Sequence, residues 1–180
     1  LAVTGNGAVA LSDATSSAVA GFAGEAGDVT VSNTAASTAY AQIDNLSVSL
    51  NSMGVMLGYT FASGTFEAVM KANGSIGCDS VTISDTYSSV ADTEVTAGGG
   101  GVVSYENIGL NTAAAYTTTR ANTGIRGNGQ ITAQGSVSIS AVGTSLAKAN
   151  IITAKAPKLP DVTISTINVV ANVAVAVNKV

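Results

Sequence analysis

The sequence contains no histidine, no tryptophan, one cysteine and two prolines, and only 10% of its 180 residues are charged. Without histidine the chain lacks the commonest general base, the commonest metal ligand and the usual switch near neutral pH. Cys78 has no internal partner, so no disulfide staples the fold. It reads as a small buried apolar residue, an intermolecular bridge being the alternative. Seven Lys and Arg against eleven Asp and Glu give a net charge of −4. Cations this sparse form no patch to neutralise phosphates, which argues against a nucleic-acid partner. Aromatics make up 4%, too few for the interfacial girdles of a transmembrane barrel, and no apolar run is long enough for a membrane helix. The chain starts at Leu1 without a charged leader and ends at Val180 inside an apolar pattern, so it is expected to be processed or part of a longer chain.

What is present is small and β-branched. The hydrophobic fraction is 46%, mostly Ala and Val, beside 20 Gly. Such a composition builds a thin core whose layers approach closely. With few charges, Thr, Ser and Asn must cover the surface. One short strand recurs: Gly27-Asp28-Val29-Thr30-Val31-Ser32, Asp79-Ser80-Val81-Thr82-Ile83-Ser84, Gly135-Ser136-Val137-Ser138-Ile139-Ser140 and Asp161-Val162-Thr163-Ile164-Ser165. In each copy the apolar residues face one way and the central hydroxyl the other. Val29 to Val81 spans 52 positions and Val81 to Val137 spans 56. Ahead of two copies the same elements arrive in order: Lys71, Asn73-Gly74 and Ile76, then Arg126, Asn128-Gly129 and Ile131. Recurrence at this interval is the mark of a stacked repeat.

Between the copies, turn chemistry divides the chain. Gly5-Asn6-Gly7, Asp44-Asn45 and Asn73-Gly74 read as turns, and Ala14 to Gly24 as loop or strand. Met53 to Phe61 is apolar on both faces, as in a covered strand. Gly98 to Gly101 reads as a flexible turn, and Lys155 to Pro160 as an extended connection holding both prolines. Ile167 to Val180 is again apolar on both faces and has no polar cap, so it is expected to be covered by further chain or by a neighbouring subunit.

These features predict an all-β fold, a parallel β-helix or solenoid with repeats of roughly 52–56 residues, the alternative being a β-sandwich. A sandwich needs large residues to fill a gap of about 10 Å between its sheets, and this chain has few. One domain covers 1–180, with an irregular lead over 1–26 and degenerate repeats at 27–80, 81–134 and 135–180. Thr30, Thr82, Ser138 and Thr163 are then expected to form an outward column of hydroxyls.

The recurring strand, the following Ala-x-Ala segments (Ala39 and Ala41; Ala147 and Ala149) and the final Val173-Ala174-Val175-Ala176-Val177-Asn178 together resemble the repeats of giant bacterial surface proteins. Those are the filamentous haemagglutinin-like and leukotoxin-type adhesins. The resemblance covers most of Gly27 to Val180. It implies a right-handed β-helix, secretion and a role at the cell surface, and it gives no ligand. Separately, the uncapped apolar end makes end-to-end self-association or continuation of a longer chain the expected partner arrangement, with a host or environmental glycan or protein surface as the candidate contact.

Catalytic chemistry is hard to find. The carboxylates, among them Asp13, Glu25, Asp28, Asp44, Glu67, Asp79, Asp85, Asp92, Glu94 and Glu106, are scattered, and read as solvation and turn capping. Only Asp92 and Glu94 share a strand face. Polysaccharide-cleaving β-helices gather acids with Arg or Lys on one face, and the calcium-binding β-roll needs a glycine-rich nonapeptide that is missing here. Gly98 to Gly101 lacks the Lys-Ser/Thr sequel of a phosphate loop. Asn45-Leu46-Ser47 and Asn73-Gly74-Ser75 match the glycosylation acceptor pattern. The expectation is a non-enzymatic, structural or adhesive extracellular rod without cofactor, metal or membrane span. An ice-binding solenoid is the alternative, and a polysaccharide-binding or -degrading β-helix a weaker one.

Overall fold

The computed structural model describes residues 2–47, 51–99, 106–155 and 167–180. Within them the chain is all β: β1 (Ala2–Glu25), β2 (Asp28–Ser47), β3 (Asn51–Cys78), β4 (Ser80–Gly99), β5 (Glu106–Arg126), β6 (Ile131–Ala133), β7 (Val137–Lys155) and β8 (Ile167–Lys179). Every strand pairing is parallel. Strands β1, β3, β5 and β8 lie side by side in one sheet, with β6 also on β3, and β2, β4 and β7 form the other. The chain therefore alternates between two sheets, each passage through both making one coil. This is the expected all-parallel stack, a β-solenoid with two facing layers. Parallel pairing throughout separates it from an ordinary antiparallel sandwich.

Register follows the repeat read from sequence. Val29 pairs with Val81 and Val81 with Val137, so the 52- and 56-residue intervals are single coils. Lys71 pairs with Arg126 and Ile76 with Ile131, which aligns the two segments that precede the signature. Across the core the layers run in opposite directions, since Ser12 meets Ser37 while Ser16 meets Asn33. A 20-residue strand extends about 66 Å, whereas three strand spacings put β8 only about 14 Å from β1. The described stack is thus a slab, far wider than it is tall.

The core is thin where alanines meet. Ala39, Ala62, Ala91 and Ala115 form one cluster, and Ile43, Met56, Val95 and Ala113 another. A third, built on Val29, Val31, Met70, Ile76, Val81 and Ile83, includes the buried Cys78. Between these clusters the interior is polar. Thr60 and Thr93 share a hydrogen bond of 2.7 Å, and the Thr93 hydroxyl lies 2.8 Å from the Ala114 carbonyl, to which it donates. Asp85 is 1% exposed and accepts from the Asn33 amide at 3.0 Å and from Thr123 Oγ1 at 3.5 Å. Neighbouring coils are also tied along the stack, as where Asn111 donates to Asn172, its register partner, at 2.8 Å.

Several turns expected from local chemistry are absent. The lead over 1–26 is not irregular: β1 pairs residue by residue with β3 from Ala2 to Phe22. Gly5-Asn6-Gly7 and Asp44-Asn45 sit inside long strands, because a ladder of 20 or more residues outweighs one turn-prone dipeptide. Asn73-Gly74 is a bulge rather than a turn. Between Phe22 and Gly24 the register advances from Ala72 to Ile76, so β3 carries extra residues there. In the next coil the same place breaks outright between β5 and β6. Gly127 has a φ of 117°, which favours glycine, and an added Cβ would strike the Ala72 carbonyl. The neighbouring Gly129 amide donates to that carbonyl at 2.8 Å.

Met53 to Phe61 is not covered on both faces. Met56, Gly58 and Thr60 are buried, but Val55, Leu57 and Tyr59 are exposed on the outer side of the sheet. Residues 171–180 are exposed, so among the described residues none supplies the cover expected for the final strand. Gly100 and Gly101 of the glycine run, Pro157 and Pro160, and the fourth signature copy with Thr163 lie outside the described residues.

Candidate functional site

The recurring strand begins β2, β4 and β7, immediately after each corner, and its alternation decides what faces out. Val29, Val31, Val81 and Ile83 are buried, which turns Thr30 and Thr82 to solvent. Thr30 pairs with Thr82 and Thr82 with Ser138, so three of the four expected column members stand in register. The fourth, Thr163, is outside the described residues.

This column is not alone. Ser32, Ser84 and Ser140 form a second one two residues on, and Thr34 and Thr86 begin a third that ends at Val142. Beyond these, Ser88 pairs with Thr144, whose hydroxyl donates to Ser88 Oγ at 3.3 Å. The outcome is a patch of hydroxyls periodic in two directions, about 4.8 Å between strands and about 6.6 Å along each strand. The first two columns lie within the signature itself. The third, and the Ser88–Thr144 pair, follow only once the intervals of 52 and 56 are applied to every outward position.

Further along the same face the chemistry changes. Tyr40, Asp92 and Lys148 share a register row, and Lys148 Nζ lies 3.4 Å from Asp92 Oδ2. Exposed pairs of this kind contribute little stability, about 0–1 kcal/mol. Tyr40 donates to Gln42 at 2.9 Å and Gln42 to Asp44 at 2.8 Å, a run of contacts along one strand.

The carboxylates stay apart, and several are engaged by stack neighbours. Asp13 accepts from Ser63, Asp28 from Ser80, and Glu67 from Ser17 and Asn122. Arg126 lies 3.4 Å from Glu67. Asp92 and Glu94, the one pair sharing a strand face, point outward, with Asp92 held by Lys148. Among the described residues, no three His, Cys, Asp or Glu side chains gather as metal ligands would. A depression of about 320 Å³ lies between Glu25, Gly77, Cys78, Thr132 and Gln134, with Glu25 its one acid. Asp85 departs from the scattered surface acids. Alternation with Val81 and Ile83 places it inward, a signal that reading acids as surface groups overlooks.

The hydroxyl patch is therefore built by repetition and shape, with no cluster of reactive groups. No family model, curated protein or solved structure matches the chain. Its function must be argued from these surfaces. Among the described residues no helix is long and apolar enough to cross a membrane.

Proposed function

We propose that the chain is a non-catalytic structural and adhesive module of an extracellular surface protein. The supporting observation is parallel pairing that carries one register from coil to coil along nearly the whole length of the strands. Backbone ladders running along the stack resist extension, and alanine-rich stretches of the core keep the two layers close. The resemblance to surface-adhesin repeats points the same way and suggests a right-handed coil. A slab of this height becomes a rod only when coils are added along the stack, by continuation of the chain or by end-to-end association. Its hydroxyl-rich and mixed faces would then repeat along the rod as contact surfaces for a glycan or a protein. Electron microscopy of negatively stained purified material tests this. Rods or filaments of constant width, close to one strand length, are the expected result. Uniform particles no taller than the single-chain slab would overturn it.

One observation favours a second reading. The hydroxyl patch of Thr30, Ser32 and Thr34 with their register partners is two-dimensional, as an ice-binding surface requires. Thermal hysteresis that is lost when Thr82, at the centre of the first column, is replaced by tyrosine would establish it. Freezing behaviour no different from that of an inert protein at equal concentration would remove it.

A further inference from the structure

The outer face of the β1-β3-β5-β8 sheet carries an exposed apolar patch with no role in the surfaces described above. Val9 and Leu11 on β1 are 68% and 70% exposed, and Leu57 on β3 is 50% exposed. Val173, Val175 and Val177 on β8 are also exposed, at 46%, 38% and 39%. Register sets these residues in rows: Gly7, Leu57, Thr112, Val173; Val9, Tyr59, Ala114, Val175; Leu11, Phe61, Tyr116, Val177. Tyr59 and Tyr116 meet at its centre, with ring centroids 6.0 Å apart. The next row is polar and ends in opposite charges, Asp13 on β1 and Lys179 on β8. Strand spacing and rise give the face roughly 500 Å², at the upper end of what a monomer exposes.

We infer that a second copy of this chain covers this face, sheet against sheet, about a two-fold axis parallel to the strands. That axis keeps each residue at its level along the strand and reverses the strand order, so that β1 lies over β8 of the other copy and β3 over β5. Three features fit. Asp13 and Lys179, at opposite ends of one row, meet twice across the interface as opposite charges. Two positions set a large residue against a small one, Tyr59 against Ala114 and Val173 against Gly7, while Leu11 against Val177 and Phe61 against Tyr116 are apolar contacts. The two stretches whose sequence is apolar on both faces, Met53 to Phe61 and Ile167 to Val180, both lie in this sheet, and the pairing covers their outward Leu57, Tyr59, Val173, Val175 and Val177. Two such faces bury roughly 1,000 Å² in total, the lower bound for a specific interface. The pairing is closed and lateral. It leaves the stack ends free, and it does not depend on whether coils continue.

The test uses the 180-residue chain. Sedimentation equilibrium is expected to show a dimer, with the dissociation constant raised at least 10-fold by Leu57→Lys. That change sits on an exposed residue, and circular dichroism confirms that the fold is retained. A variant carrying both Asp13→Cys and Lys179→Cys is expected to form a covalent dimer with oxidised glutathione, while either single change forms none. Within one chain these positions are about 14 Å apart, beyond disulfide reach, so any bridge joins two copies. A wild-type chain that stays monomeric, a dimer insensitive to Leu57→Lys, or cross-linking through either cysteine alone overturns the proposal. So does a monomer that binds phosphatidylcholine vesicles, which would assign the face to lipid.

Discussion

Replacing Phe66 by alanine is expected to lower stability by about 3–5 kcal/mol, read as a fall in the denaturant midpoint at unchanged slope. Phe66 is fully buried in β3 and is the largest fully buried side chain among the described residues. Its ring stacks on Tyr87 of the facing layer, centroids 5.4 Å apart and planes 16° from parallel. Each ring also occupies the space above a glycine. An added Cβ at Gly64 would strike the Phe66 ring, and one at Gly143, the register partner of Tyr87, would strike the tyrosine. The two aromatics thus fill a gap that two successive coils leave open together. Truncating Phe66 opens a cavity that this backbone, fixed by ladders on both sides, cannot collapse to fill. Gly64→Ala tests the same fit from the other side, at about 1–3 kcal/mol of overpacking. Should Phe66→Ala cost less than 1 kcal/mol, the ring is not a packing element.

The second expected effect concerns the buried polar cluster. Asn33→Leu is expected to destabilise the chain by about 2–3 kcal/mol, because it strands the buried Asp85 carboxyl. That carboxyl would keep only the long contact from Thr123, at 3.5 Å. Ser16, which donates to Asn33 at 2.6 Å, is partly exposed and can turn to water. Adding Asp85→Leu should recover most of the loss, since removing both partners leaves no orphaned group. The two changes would then be coupled by at least about 1 kcal/mol in a double-mutant cycle. Purely additive effects would show that the Asn33–Asp85 contact carries no stability. The cluster spans β1, β2, β4 and β5, so its loss weakens the seam between coils as well as that between layers.

The strands that could be read directly from sequence are those whose inward residues are strongly apolar. Val29, Val81 and Val137 identify themselves, and the interval between them is the length of chain in one coil. Strand β1 is obscured because its inward residues are Ala8, Ala10, Ser12, Ala14 and Ser16, which alternate in position but hardly in polarity. Its partners across the core are themselves small or polar, Ser37 and Asn33 among them, so no hydrophobic contrast was needed there. The false turns have a related cause. Asn6 stands opposite Met56 in a ladder that runs from Ala2 to Phe22, and that continuous pairing holds Gly5-Asn6-Gly7 extended. Two columns of the hydroxyl patch are legible in the signature, and the third, Thr34 and Thr86, lies beyond it. The apolar outer face was visible in Val55, Leu57 and Tyr59 but read as burial within the chain.

Parallel coils of this size also dictate how the molecule must come into being. No ladder bond can form until a stretch of about 50 residues has closed into a loop, at a cost of roughly 3.5 kcal/mol in chain entropy. The first coil therefore meets that cost with no template to receive it, and its appearance limits the rate. Every later coil zips onto a finished edge that already fixes its register, so growth from an existing end outpaces starting anew.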